Sequence, residues 1–184
     1  MDIKRMFRSI RFFLFFDQLK RGNYARKKKI FHHVGKNVRL PAMLVPLHSE
    51  LISFGNNVEV ASGVKFVVHD AIHGVLNFKY HGEKNNSEFK EQLGCIDIQD
   101  NVFIGSGTIV LGNVRIGSDT VIGANSLINK DIPAGAVWAG IPAKQIDTFE
   151  NFAEKRRSLI YLETAEERWK AFDERRRHKD KSDY

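Results

Sequence analysis

The 184-residue chain is 42% hydrophobic and 28% charged, with a formal net charge of +7, which fits one globular domain with a core and short flanking elements. Its single cysteine, Cys95, excludes an intrachain disulfide framework and a thiolate metal cluster within one chain, and suits a reducing compartment such as the cytoplasm. No run reaches the roughly 18 apolar residues that cross a bilayer, and no nucleic-acid recognition motif accompanies the basic excess.

That excess sits at the two ends, as Lys20, Arg21, Arg26, Lys27, Lys28 and Lys29 and as Arg175, Arg176, Arg177, Lys179 and Lys181. Residues 1–33 read as a basic, aromatic, helical segment, helical from residue 3 to 30 until Gly22-Asn23 interrupts it. The run Phe12-Phe13-Leu14-Phe15-Phe16 is short, is followed by Asp17 and lacks a small-residue cleavage site, so no secretory signal is expected. Such a helix can lie in a membrane interface. Peripheral membrane association therefore stands beside the plainer reading, a stripe packed on its own protein or a partner subunit.

Residues 34–146 carry a six-residue rhythm. Aliphatic residues recur as Ile98, Ile104, Val110, Ile116, Ile122 and Ile128, with Gly105, Gly117 and Gly123 next to three of them. Four positions on stand Val102, Thr108, Val114, Thr120, Ser126 and Ile132. Phe54, Val60 and Phe66 follow the same rule with Val58 and Val64, and Val34, Val38, Leu40 and Leu44 form a degenerate turn of it. A period of six is neither a helix of 3.6 nor a plain alternating strand. It predicts a solenoid whose hexads each make one flat side, the aliphatic residues stacking inward and glycine supplying the corner conformation. Phe54, Val60 and Phe66 are out of phase with the later set, so residues 71–95 form an insertion. That stretch is polar, with Gly74, Gly82 and Asn85-Asn86 and no rhythm, and is expected to be a long functional loop. Residues 137–143 close the solenoid. Residues 147–174 read as one helix through Phe149, Phe152, Leu159, Leu162, Ala165, Trp169 and Phe172, and residues 175–184 as a disordered basic tail.

Several of these pieces resemble the hexapeptide-repeat acetyltransferases. They are Val102-Phe103-Ile104-Gly105-Ser106, Ile116-Gly117-Ser118-Asp119, Val121-Ile122-Gly123-Ala124-Asn125-Ser126, Lys130-Asp131-Ile132-Pro133 and the ending Ala139-Gly140-Ile141-Pro142-Ala143-Lys144. With the weaker hexads from Phe54 the resemblance covers about half the chain. Val68-His69-Asp70, just before the insertion, looks most like the sugar and polysaccharide O-acetyltransferases. The resemblance implies a mainly β, left-handed parallel β-helix with flanking helices. It also implies a homotrimer with active sites between subunits, acetyl-CoA as donor, no required metal, and a glycan acceptor in bacterial surface polysaccharide.

A sugar hydroxyl is a poor nucleophile, so acyl transfer to it needs a nearby base of near-neutral pKa, and histidine, near ~6.5, suits the task. His69 matches the family's catalytic histidine by position. Asp70 would orient it or bind the acceptor, although neighbours on a strand point to opposite faces, so an orienting acid could come from Glu59 or elsewhere. His73 and His81 compete as base, and with Asn77 are candidates to contact the acceptor. The resemblance places an oxyanion donor around Gly105-Ser106, a cofactor contact at Ser106, pantetheine contacts at Ala124 and Asn129, and CoA phosphate contacts at Lys130 and Lys144. Asn129 stands where the family often has Thr or Ser. Trp138 suits either the adenine or the core.

Three other readings compete. An amino-sugar N-acetyltransferase would commonly carry a Gly-rich βαβ unit that this sequence lacks. A carbonic-anhydrase-like zinc site could be read from His69-x3-His73 with His81, against which the coenzyme-binding ending argues. A non-catalytic solenoid scaffold is the third.

Overall fold

The structure, a computed structural model, describes residues 3–82 and 88–180. Asn85-Asn86 of the insertion and Lys181 of the tail lie outside the described residues. Two helices open the chain, α1 (Ile3–Leu14) and α2 (Gln18–Lys27). They part at residues 15–17, where Asp17 accepts from the Lys20 amide at 2.8 Å and caps α2. The expected interruption at Gly22-Asn23 is therefore misplaced. Gly22 lies inside α2, where a Cβ would stand 1.8 Å from the Val38 carbonyl oxygen. Glycine is needed there so that helix and coil backbone can touch. Arg21 is buried beside it, Nε donating to the Phe12 carbonyl at 2.8 Å and Nη1 to the Leu40 carbonyl at 3.3 Å. It leaves the solvated cluster and joins the end of α1 to the coil.

After β1 (His33–Val34), the strands β2 (Ile52–Phe54), β3 (Val58–Val60) and β4 (Lys65–Val67) make the first full coil. The insertion follows. It contains α3 (Ile72–His81) and so is not a plain loop, as its lack of six-residue rhythm suggested. Then β5 (Ile96–Ile98), β6 (Val102–Ile104) and β7 (Ile109–Leu111) form the second coil, and β8 (Val114–Ile116), β9 (Thr120–Ile122) and β10 (Leu127–Ile128) the third. The hairpin β11 (Ala136–Gly140) and β12 (Ala143–Thr148) ends it. Equivalent strands pair in parallel as three sheets, β1-β2-β5-β8, β3-β6-β9-β11 and β4-β7-β10. These are the three flat faces of a left-handed parallel β-helix, mainly β with helices at its ends. Ile98 pairs with Ile116, 18 residues on, whereas Phe54 pairs with Ile98, 44 residues on. The insertion accounts for the difference.

The aliphatic columns are the core. Phe54, Ile98 and Ile116 stack on one face, Val60, Ile104 and Ile122 on the next, and Phe66, Val110 and Ile128 on the third, all buried. The positions four further on are buried too, including the polar Thr108, Thr120 and Ser126. Ser126 donates to the Gly123 carbonyl at 2.7 Å and Thr108 to the same oxygen at 3.1 Å, so their hydroxyls are satisfied.

The corners differ from the expectation. Left-handed backbone falls on Gly63 and Gly107 and on Asn37, Asn57, Asn101, Asn113, Asp119 and Asn125, the latter six with φ between 53° and 62°, whereas Gly105, Gly117 and Gly123 do not have positive φ. Asparagine tolerates this region because its short side chain bonds locally. Here the bonds run between coils, Asn37 donating to Asn57 at 2.8 Å, Asn57 to Asn101 at 2.9 Å and Asn101 to Asp119 at 2.9 Å. The glycines serve coil spacing, since a Cβ on Gly105 would lie 2.5 Å from the Ala124 amide nitrogen.

Beyond the hairpin the expected single helix is two, α4 (Phe149–Arg157) and α5 (Ala165–Asp180). A reciprocal cap starts the second: Glu167 N donates to Thr164 Oγ1 at 3.1 Å and Thr164 N to Glu167 Oε2 at 3.0 Å. Helix α5 runs on to Asp180, so the basic tail is helical that far rather than disordered. The chain divides into two compact units, residues 1–152 and 153–184. In the second, Trp169 and Phe172 meet edge to face at 5.6 Å.

Candidate active site

The chain leaves the coil after β4 over Val68-His69-Asp70 and returns through Gln92-Leu93-Gly94. The two legs pair, with an antiparallel bridge between His69 and Leu93, Gly94 N donating to Val68 O at 2.8 Å and Asp70 N to Gln92 O at 3.3 Å. Main-chain bonds therefore fix His69 at the root of the insertion. One coil on, β7 exits through Leu111-Gly112-Asn113. Between the legs and this exit opens a cleft of about 190 Å³, with His69, Asp70 and Gln92 on one side and Leu111, Gly112 and Asn113 on the other.

His69 is half-buried, and its Nδ1 is enclosed without a hydrogen-bond partner. Its ring meets that of His48 edge to face, with centroids 5.6 Å apart and planes at 71°. His48 comes from the irregular stretch before β2, in left-handed conformation (φ 54°), and its Nδ1 lies 3.3 Å from Glu50 Oε1. Among the described residues no acid hydrogen-bonds the His69 ring. Asp70 Oδ1 accepts from Ile72 N at 3.1 Å, a local turn leading into α3. Glu59, the other acid considered, sits on β3, in a different sheet from β4.

The insertion's other candidates are engaged with the insertion itself. Asn77 donates to the Phe89 carbonyl at 2.9 Å and accepts from the Phe89 amide at 3.0 Å, so both ends of its carboxamide hold the insertion closed. His81 Nε2 lies 2.6 Å from Glu88 Oε2. His73, in the first turn of α3, is half-buried, with Nδ1 enclosed and unpartnered like that of His69. Among the described residues of one chain no three His, Cys, Asp or Glu side chains gather as a metal site.

The expected cofactor contacts fall on two edges of the third face. Ser106 and Ala124 are exposed at the corner entering it, stacked through Asn125 N donating to Ser106 O at 2.8 Å. Asn129 and Lys130 are exposed at the corner leaving it, where His69 and Gly112 stand in the coils before. The cleft thus shares an edge with Asn129 and Lys130, while Ser106 and Ala124 do not line it. Lys130 Nζ lies 5.4 Å from the centroid of the Trp138 ring. Trp138 is buried, in register with Ile122, so it belongs to the core. Lys144 is exposed on β12. The Gly105 amide is already spent on the Ile122 carbonyl at 2.9 Å and is not free to be the oxyanion donor expected around Gly105-Ser106.

Two residues of the site went unread in the sequence. His48 lies where the repeat has broken down and carries no periodic signal. Asn113 had one: Asn or Asp recurs three positions after the inward residue, at Asn57, Asn101, Asn113, Asp119 and Asn125.

The bacterial transferase hexapeptide (six repeats) family matches residues 96–130, the span from β5 to β10. Protein CapG of Staphylococcus aureus is 42% identical over 105 residues, 57% of this chain and 57% of the relative, so the chain spans little more than half of that protein's length. Among solved structures, a hexapeptide-repeat-containing acetyltransferase from Vibrio cholerae superposes with a TM-score of 0.55 at 20% identity, covering 79% of this chain and 89% of that one. A maltose O-acetyltransferase from Clostridium difficile gives a TM-score of 0.52 at 24% identity over 79% of this chain and 84% of that one. The stretch 96–130 thus matches the hexapeptide transferase family, and the coil built from it shares the fold of solved hexapeptide-repeat acetyltransferases.

Proposed function

We propose that the protein is an acetyl-CoA-dependent O-acetyltransferase acting on a sugar hydroxyl of a bacterial surface polysaccharide or its precursor, with His69 as general base. The observation that carries this is His69 itself, a half-buried imidazole fixed by main-chain bonds at the root of the insertion and lining the cleft. Two solved relatives add support: one is a maltose O-acetyltransferase, and the Vibrio cholerae protein was also solved with acetyl coenzyme A, matching here at a TM-score of 0.51.

In this reading His69 takes the acceptor's hydroxyl proton as the oxygen attacks the thioester carbonyl carbon. Collapse of the tetrahedral adduct breaks the carbon–sulfur bond, and His69 returns the proton to the leaving sulfur. Packing against His48 fixes the ring plane while Glu50 holds His48. Asp70, Gln92 and Asn113 supply polar groups for the acceptor at the cleft. Asn129 and Lys130 flank the donor on the His69 edge, Ser106 and Ala124 on the opposite edge, and Lys144 meets its phosphates. Acetyl-CoA is a cytoplasmic donor, so the reading includes a cytoplasmic enzyme.

One chain holds the two edges apart, and a homotrimer reunites them, the Ser106–Ala124 edge of one subunit facing the His69 edge of its neighbour. Outward apolar side chains suit such a contact. Val67 on the third face is 37% exposed, and Ile72, Val75 and Phe78 of α3 are 59%, 70% and 66% exposed. The test incubates labelled acetyl-CoA with oligosaccharides and amino sugars and asks whether the label is released by mild alkali, as an ester is and an amide is not. His69→Ala should lose about 10²–10⁴-fold in transfer while still binding CoA. Full transfer by a folded His69→Ala protein would overturn the assignment.

A further inference from the structure

Helix α1 is fastened to the coil by one side only. Arg5 Nε donates to the Val45 carbonyl at 2.7 Å, Ser9 Oγ accepts from the Val45 amide at 3.0 Å, and Phe12 is fully buried. The side facing away is apolar. Ile3, Phe7, Ile10 and Leu14 are 62%, 60%, 46% and 68% exposed, and their spacing of three and four residues makes them one stripe. Phe13 and Phe16, 54% and 99% exposed, extend it. An amphipathic helix normally turns such a stripe to its own core. Here the core already has Phe12, and the larger apolar face is presented outward on a helix held in place by tertiary bonds.

The charges select what covers it. Helix α1 has no acidic residue and contains Lys4, Arg5, Arg8 and Arg11; at about 100° per residue, Lys4, Arg8 and Arg11 fall on the flank beside the stripe. Exposed Lys20, Arg26 and Lys27 of α2, then Lys28 and Lys29, add to the same sign. Apolar side chains bordered by cations match the acyl boundary and phosphates of an anionic bilayer. A second copy would bring the same basic flank against itself, where like charges oppose docking. We propose that α1 is an interfacial anchor, laying Ile3, Phe7, Ile10, Phe13 and Leu14 into an anionic membrane surface without crossing it. The helix is preformed, so binding carries no folding cost. Among the described residues no helix is long and apolar enough to span.

The test sediments the full chain with phosphatidylcholine vesicles with and without phosphatidylglycerol, at low and high salt. Binding should require phosphatidylglycerol and weaken with salt. Phe7→Ser with Ile10→Ser, both exposed, should weaken partitioning by on the order of tenfold or more with oligomeric state unchanged. Arg8→Glu with Arg11→Glu should abolish the dependence on phosphatidylglycerol. Failure of the native chain to bind, or retention of binding by the Phe7/Ile10 variant, overturns the proposal. So does a changed oligomeric state in that variant, which would give the stripe to a second copy.

Discussion

The asparagine ladder gives the sharpest test of how the coils are held in register. Asn101 accepts from Asn57 and donates to Asp119, each at 2.9 Å, from a backbone with φ 59°. Replacing it with alanine removes both side-chain bonds, each worth about 0.5–1.5 kcal/mol net. It also forces a Cβ-bearing residue without local bonding into the left-handed region, at about 1–2 kcal/mol. Both freed groups are exposed and turn to water, so no burial penalty is added. Asn101→Ala should therefore cost about 2–5 kcal/mol. Asn101→Gly loses the same bonds but not the strain, and should be better than alanine by about 1 kcal/mol after glycine's extra unfolded-state freedom is counted. Urea unfolding at one fixed protein concentration, since assembly would couple to folding, measures both. Equal stabilities for the two variants would refute the assignment of strain, and native-like stability in both would refute the ladder.

Gly105→Ala places a Cβ 2.5 Å from the Ala124 amide nitrogen, with backbone that cannot step aside, and should cost about 1–3 kcal/mol or more, read as a lower thermal midpoint. His48→Ala should lower kcat roughly tenfold while leaving the KM for acetyl-CoA and the thermal midpoint unchanged. His48→Phe, which keeps the ring against His69, should restore much of the rate, and a loss seen equally in both variants would remove the positioning role. Asp17's carboxyl is held below its ordinary value of 3.8, chiefly by the Lys20 amide. Its stabilisation is therefore complete above that value and lost as pH falls through the lower folded pKa. The stability gap between native protein and Asp17→Ala should close as the pH drops below 3.8; a gap unchanged in acid would contradict the cap.

What could be read in advance was whatever repeats. Ile98 to Ile128 announce the columns because each coil must bury the same face of its neighbour, and the phase break at Phe66 announces the insertion. The misreadings share a cause. The sequence reads Gly22 as a helix breaker and Gly105 as a corner, although at each a Cβ would collide with the backbone of a neighbouring segment. Glycine in a sequence does not distinguish conformational freedom from close approach. The break before α5 was legible, since Thr164-Ala165-Glu166-Glu167 is a capping box, but the apolar spacing across it hid the stop.

The site is less legible than the fold for a physical reason. A column is specified by one residue per hexad, repeated, whereas the cleft is assembled where repetition fails on both sides of it. His48 lies before the first regular coil and His69 just after it, and their rings are brought within 5.6 Å by the interrupted turn between His33 and Ser49 closing over the end of β4. No spacing rule links residues 48 and 69. Helix α1 grips Val45, three residues before His48, so the segment that positions the second histidine is also the one to which the outward-facing apolar helix is fastened. A bilayer pulling on α1 would therefore act on the segment carrying His48, and the effect of phosphatidylglycerol vesicles on kcat, compared between native protein and His48→Phe, measures whether that mechanical connection reaches the chemistry.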